Sequence, residues 1–68
     1  MEKLKLYDEV RVIKDKDFIY PVEHVKKGAE GTIVLICEKK GKIGYLVEID
    51  SEVYDFKDDE IEVIGQKS

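Results

Sequence analysis

The sequence predicts an all-β fold in which five short strands wrap a single small core, and three observations predict it. Apolar residues recur at every second position along most of the chain. Clusters of Gly, Asp and Lys interrupt the apolar runs at short intervals. No stretch carries the i, i+3, i+4, i+7 spacing that an amphipathic helix requires.

Each element follows from that alternation. The first strand is expected over residues 7–14, where Val10 and Val12 alternate with Glu9 and Arg11. Residues 15–27 form a long connection that is not simply polar, because Phe18, Ile19, Tyr20, Pro21, Val22 and Val25 lie within it; so many apolar groups must fold back onto the body. Gly28-Ala29-Glu30-Gly31 supplies two glycines for a tight turn into the second strand, residues 32–38. Lys39-Lys40-Gly41-Lys42 then makes a hairpin turn. Residues 43–50 return with Ile43, Tyr45, Val47 and Ile49 on one face. A turn over residues 50–52 leads to a fourth strand, residues 53–57, with Tyr54 and Phe56 on a common face. Residues 57–60 suit one turn of 3₁₀ helix before a last strand at 61–64, and residues 65–68 read as a frayed tail.

Segments of this pattern resemble the small bacterial SH3-like barrel domains of unknown function. They are Tyr7-Asp8-Glu9-Val10-Arg11-Val12, the Gly28-Ala29-Glu30-Gly31-Thr32-Ile33 turn and strand led by Lys26, Tyr45 to Ile49 with its apolar odd positions, and Asp58-Asp59-Glu60-Ile61. The resemblance covers nearly the whole chain and implies a five-stranded SH3-like barrel with a long first loop and a 3₁₀ turn before the last strand. It implies no activity, since small barrels of this kind host unrelated functions. The glycine turn before an apolar strand is also similar to the KOW motif of ribosomal and transcription proteins, from which this chain departs in lacking a basic surface. Leu6-Tyr7-Asp8 resembles the tyrosine motif of eukaryotic SH3 domains, but those domains grip Pro-rich peptides with a tryptophan, and this chain has none.

Size and composition bound the rest. With 68 residues there is room for one core and no second domain, and near this length a domain buries only about 60% of the surface its unfolded chain exposes. That core must supply the stability, because Cys37 is the single cysteine and no Cys/His cluster can hold a structural metal. No cofactor is expected. The longest apolar run, Ile33-Val34-Leu35-Ile36-Cys37, is far shorter than the roughly 20 residues of a membrane-spanning helix. The first five residues lack the apolar region of a signal peptide, so a cytoplasmic protein with no membrane partner is expected.

The net charge of −4 is concentrated in the second half. Within residues 48–62 eight acids (Glu48, Asp50, Glu52, Asp55, Asp58, Asp59, Glu60, Glu62) face the lone Lys57. Such a segment repels phosphates and attracts a cationic partner. It lacks the alternating ligands and central glycine of a calcium loop, so a solvated acidic face is expected rather than a metal site. Nor is a catalytic constellation legible. His24 is the only histidine and sits in the connection, Ser51 and Thr32 have no nearby activating base, and the glycines match no phosphate-binding pattern. Cys37, on the same strand parity as Ile33 and Leu35, is expected to be buried and inert.

Two surfaces remain. If Ile33, Leu35 and Cys37 face inward, Val34 and Ile36 face outward, and a turn centred on Gly41 sets Ile36 opposite Leu46. The apolar connection either covers that patch or leaves it to dock another protein or a second copy of the chain. The expected function is therefore a non-catalytic protein-interaction domain, with Val34, Ile36, Leu46, Glu48, Asp50, Glu52, Asp55, Asp58, Asp59 and Glu60 as contact residues. One specific form is an immunity protein or antitoxin that masks the basic active site of a nuclease. The alternative is a KOW-like barrel binding nucleic acid or the ribosome through Lys26, Lys27, Lys39, Lys40 and Lys42, although no arginine or interleaved exposed aromatic accompanies those lysines.

Overall fold

The computed structural model describes residues 4–19 and 23–65. Tyr20, Pro21 and Val22 of the apolar connection, and residues 66–68 of the expected tail, lie outside the described residues. Strands β1 (Glu9–Val12), β4 (Glu30–Lys39), β5 (Lys42–Ile49), β6 (Glu52–Lys57) and β7 (Ile61–Gly65) form one antiparallel sheet in the order β6-β5-β4-β1-β7. These correspond to the five strands expected from alternation, with shifted bounds: β1 is shorter than the expected 7–14, β4 begins at Glu30 so that Glu30 and Gly31 of the expected turn belong to the strand, and β7 gains Gly65. The long connection is itself structured: β2 (Lys16–Phe18) and β3 (Glu23–Val25) pair as a separate two-stranded hairpin.

Turn chemistry fixes these pairings. The β4–β5 hairpin closes on Lys40 and Gly41 and the β5–β6 hairpin on Asp50 and Ser51, and all four residues have positive φ (53°, 78°, 50° and 70°). Two such residues in succession define the hairpin turn whose twist matches that of the flanking strands. Of the two glycines expected in the turn that leads into this strand, Gly28 precedes β4 and Gly31 lies within it, and they act differently. Gly28 adopts φ 101° in a turn where the Ala29 N–H donates to the Lys26 carbonyl. Gly31 has no positive φ, but a Cβ there would lie 2.3 Å from the backbone oxygen of Glu48, so the absence of a side chain lets β5 approach.

Leu4, Val10, Val12, Val25, Ile33, Tyr45, Val47, Ile49, Tyr54, Phe56 and Ile61 form the buried core. The β2–β3 hairpin closes it from the side of β6: Phe18 packs on Tyr54 and Phe56 with ring centroids 5.0 and 5.5 Å apart. Lys16 Nζ donates to the Asp55 carbonyl at 2.8 Å and to Glu60 Oε1 at 2.9 Å, and lies 5.1 and 5.3 Å from the Phe18 and Phe56 ring centroids. Residues 57–60 form a hydrogen-bonded turn, the Glu60 N–H donating to the Lys57 carbonyl, with the i→i+3 span of the expected 3₁₀ turn.

Among the described residues no pairing joins β6 to β7, so the expected closure into a barrel is not made by a strand ladder. The edge of β6 is occupied instead. Lys16 takes the Asp55 carbonyl, and Glu60 takes both the N–H and the C=O of Lys57. At the other end of the core, Leu6 and Tyr7 make a turn in which Tyr7 has φ 70°. Asp8, buried, accepts from the Lys5 N–H at 2.9 Å, which gives the Tyr7-Asp8 pair a local structural role. No helix among the described residues is long and apolar enough to cross a membrane.

Candidate functional site

The outer face of the β4–β5–β6 sheet differs from the expected one because of one residue. The two-residue turn at Lys40-Gly41 pairs Lys39 with Lys42, and from there Ile36 falls opposite Tyr45 and Leu35 opposite Leu46. At the base of the hairpin Ile33 pairs with Val47, and the register shifts between Ile33 and Leu35. Val34 is the extra residue of a β-bulge, which inverts the alternation beyond it. Ile36 therefore packs against the core, and Leu35 and Cys37 turn outward. The expected outward pair of Val34 and Ile36 is thus replaced by Leu35, 49% exposed, beside the half-buried Leu46, with Val53, 46% exposed, on the adjacent strand. Cys37 is exposed, not buried, for the same reason.

The apolar connection does not cover this face with any described residue. Phe18 and Val25 turn to the core side, and Ile19 is 75% exposed.

The acidic candidates do not converge on one place. Glu48 and Asp55 lie on the outer face, Asp55 Oδ1 reaching over Gly44. Asp50 and Glu52 sit at the β5–β6 turn with Glu23 near Tyr54; burial, followed by the carboxylates of Glu23, Glu52 and Asp50, pushes the Tyr54 hydroxyl above its ordinary value. Glu60 is a structural residue. Burial alone would raise its pKa, but hydrogen bonds from Lys16 and from the Lys57 N–H, with the Lys16 charge, hold it below the ordinary carboxylate value. Asp59 pairs with Lys14 and Glu62 with Arg11, each at 3.6 Å and well exposed.

Asp58, Asp59 and Glu62 flank a groove floored by Leu4, Ile13, Ile61 and Val63. Leu4, Ile13, Ile61, Glu62 and Val63 are absent from the sequence-level candidates, since nothing in the pattern shows that Leu4, before β1, and Ile13, just after it, meet the first residues of β7. Exposed ion pairs of the Lys14–Asp59 kind are worth about 0–1 kcal/mol, so they yield readily to a competing cation.

The expected basic patch is divided. Lys26 and Lys27 stand at the β3–β4 turn, and Lys39, Lys40 and Lys42 at the opposite end of β4, roughly 30 Å away for a ten-residue strand. His24 Nδ1 contacts Asp17 across the β2–β3 pair, on an exposed surface. Among the described residues no group of three or more His, Cys, Asp or Glu side chains is placed to hold a metal ion. No protein-family model, curated protein or solved structure matches this chain.

Proposed function

We propose that this chain is a non-catalytic protein-interaction domain of SH3-like architecture that binds a basic segment of another protein. The observation that carries the reading is the groove in which the apolar floor of Leu4, Ile13, Ile61 and Val63 meets Asp58, Asp59 and Glu62. The half-buried Ile13 and Val63 offer a small apolar contact there, Leu4 and Ile61 being buried in the core behind them, and the carboxylates select cationic over anionic partners and steer their approach. In the most specific form the chain is an immunity protein or antitoxin that masks the basic active site of a nuclease. The wide separation of the two lysine groups supports a protein partner over a nucleic acid, because phosphate neutralisation needs contiguous basic residues.

Affinity capture from a cell lysate at low and high salt tests the reading. Basic proteins retained at low salt, released at high salt and lost with the double variant Asp58→Lys/Glu62→Lys are the expected result. Retention of no protein at either salt removes the proposal, and retention unchanged in the double variant moves the site away from the groove.

A further inference from the structure

We infer that the outer face of β4, β5 and β6 is a self-complementary surface that binds a second copy of this chain. The cross-strand register sets four successive rows across this face: Lys42 with Lys39; Gly44 with Cys37 and Lys57; Leu46 with Leu35 and Asp55; and Glu48 with Thr32 and Val53. Lys39 and Lys42 stand at the β4–β5 turn, the two middle rows place Leu46, Leu35 and Cys37 beside Lys57 and Asp55, and Glu48 stands at the far end with Thr32 and Val53. Gly44 has no side chain of its own, and the carboxylate of Asp55 leans over it, Oδ1 standing 3.1 Å from where a Cβ would be.

A two-fold axis in the plane of the face, perpendicular to β5 and between the Gly44 and Leu46 rows, superposes these rows in reverse order. Leu46 of one copy then sits over the Gly44 position of the other, against the movable Asp55 carboxylate that leans over it, and Leu35 sits over Cys37. Lys42 faces Glu48, and Lys57 faces Asp55. Each pairing occurs twice, as an isologous contact requires. Like charges do not meet anywhere along the four rows. A single heterologous partner would have to reproduce this reversed pattern, whereas a second copy has it already.

Size sets the strength. Three strands about 4.8 Å apart and rows spanning about seven residues of about 3.3 Å give a projected area on the order of 300 Å² per copy. That is well below the roughly 800 Å² per partner of a stable interface, so the dimer is weak and concentration-dependent. This surface is distinct from the groove of the proposed function, and the two can fail separately.

Sedimentation equilibrium over a wide range of protein concentration tests the inference. A reversible monomer–dimer equilibrium is expected, weakened about tenfold or more by Lys42→Glu, which sets two carboxylates against each other at both symmetric positions. The exchange Lys42→Glu/Glu48→Lys is expected to restore association to within about threefold of the natural chain, since it swaps the charges without changing their complementarity. Leu46→Asp is expected to leave a folded monomer, checked by circular dichroism. Alkylation of Cys37 is expected to slow as the natural chain is concentrated and to stay constant in Leu46→Asp. A natural chain that remains monomeric throughout, or a dimer indifferent to Leu46→Asp, overturns the inference. So does a double exchange no better than Lys42→Glu alone.

Discussion

Both faces of the β4–β5–β6 sheet carry apolar side chains, but only one is buried by the fold, and the other mixes them with Lys39, Lys42, Lys57, Asp55 and Glu48. On the inner face Ile33, Tyr45, Val47 and Phe56 are almost wholly removed from solvent. On the outer face Leu35 and Val53 keep nearly half of their surface in water beside Leu46. What separates them is the cover. The β2–β3 hairpin lays Phe18 and Lys16 along β6 on the inner side, and no described element lies over the outer one. Apolar character in a strand thus marks a side that can be buried, and the path of the connecting chain decides which side is.

The sharpest test of that contrast is truncation on each face. Phe56→Ala removes a fully buried ring in contact with Phe18 and should cost about 3–5 kcal/mol, enough to unfold much of so small a domain. Leu35→Ala should change stability by no more than about 0.5 kcal/mol in urea unfolding of dilute protein. Equal losses at the two positions would mean that the outer face is covered. The glycines give a second pair. Gly31→Ala drives a methyl against the Glu48 backbone oxygen and the Val47 and Ile49 side chains, all within 2.8 Å, and should destabilise by about 3 kcal/mol. Gly44→Ala meets only the movable carboxylate of Asp55 at 3.1 Å, so its effect on unfolding should be within about 1 kcal/mol.

These positions also show how far the sequence could be read. Val10 and Val12, the odd residues from Ile43 to Ile49, and Tyr54 with Phe56 announce the five main strands, because a strict period of two is the mark of a strand buried on one face. Residues 33–37 are apolar without interruption, and such a run fits either parity. The outward residues there depend on the bulge at Val34, which follows from the two-residue turn at Lys40-Gly41 acting at one end of the hairpin and the Ile33–Val47 pairing at the other. Placing a two-residue turn on Lys40-Gly41, as hairpin chemistry favours, already sets Leu35 opposite Leu46. The β2–β3 hairpin was hidden because its strands are only three residues each and carry little alternation. Of the acidic candidates, the sequence exposes their charge but not their partners: the Lys16–Glu60 contact joins residues 44 apart in the chain.

Lys16 and Glu60 are where the cover is fastened, and they give the remaining tests. Lys16→Met keeps most of the aliphatic stem over Phe18 and Phe56 but removes the donor to the Asp55 carbonyl and to Glu60. A loss of about 1–2 kcal/mol is expected in denaturant unfolding, accompanied by faster amide exchange in β2 and β3 than in β4. If β2–β3 exchange is unchanged, Lys16 is a passive surface group and Phe18 alone holds the hairpin.

The smallest effect is in the acid limb of stability. The carboxyl of Glu60 is held below the ordinary value, so in the folded chain it stays ionised to lower pH than in the unfolded chain. As the pH drops past the unfolded value of roughly 4.3, the unfolded state takes up the proton first. The contribution of Glu60 is accordingly complete above that pH and disappears as the pH descends through the folded value. Comparing the natural chain with Glu60→Gln by urea unfolding at stepped pH should show the natural chain ahead near neutrality, by about 1 kcal/mol or less, and the two curves converging in acid. Parallel curves would mean that Glu60 stabilises the turn only as a neutral hydrogen-bond acceptor for the Lys57 N–H, and that the Lys16 ammonium contributes through its bond to Asp55 and its contact with the rings rather than through the carboxylate.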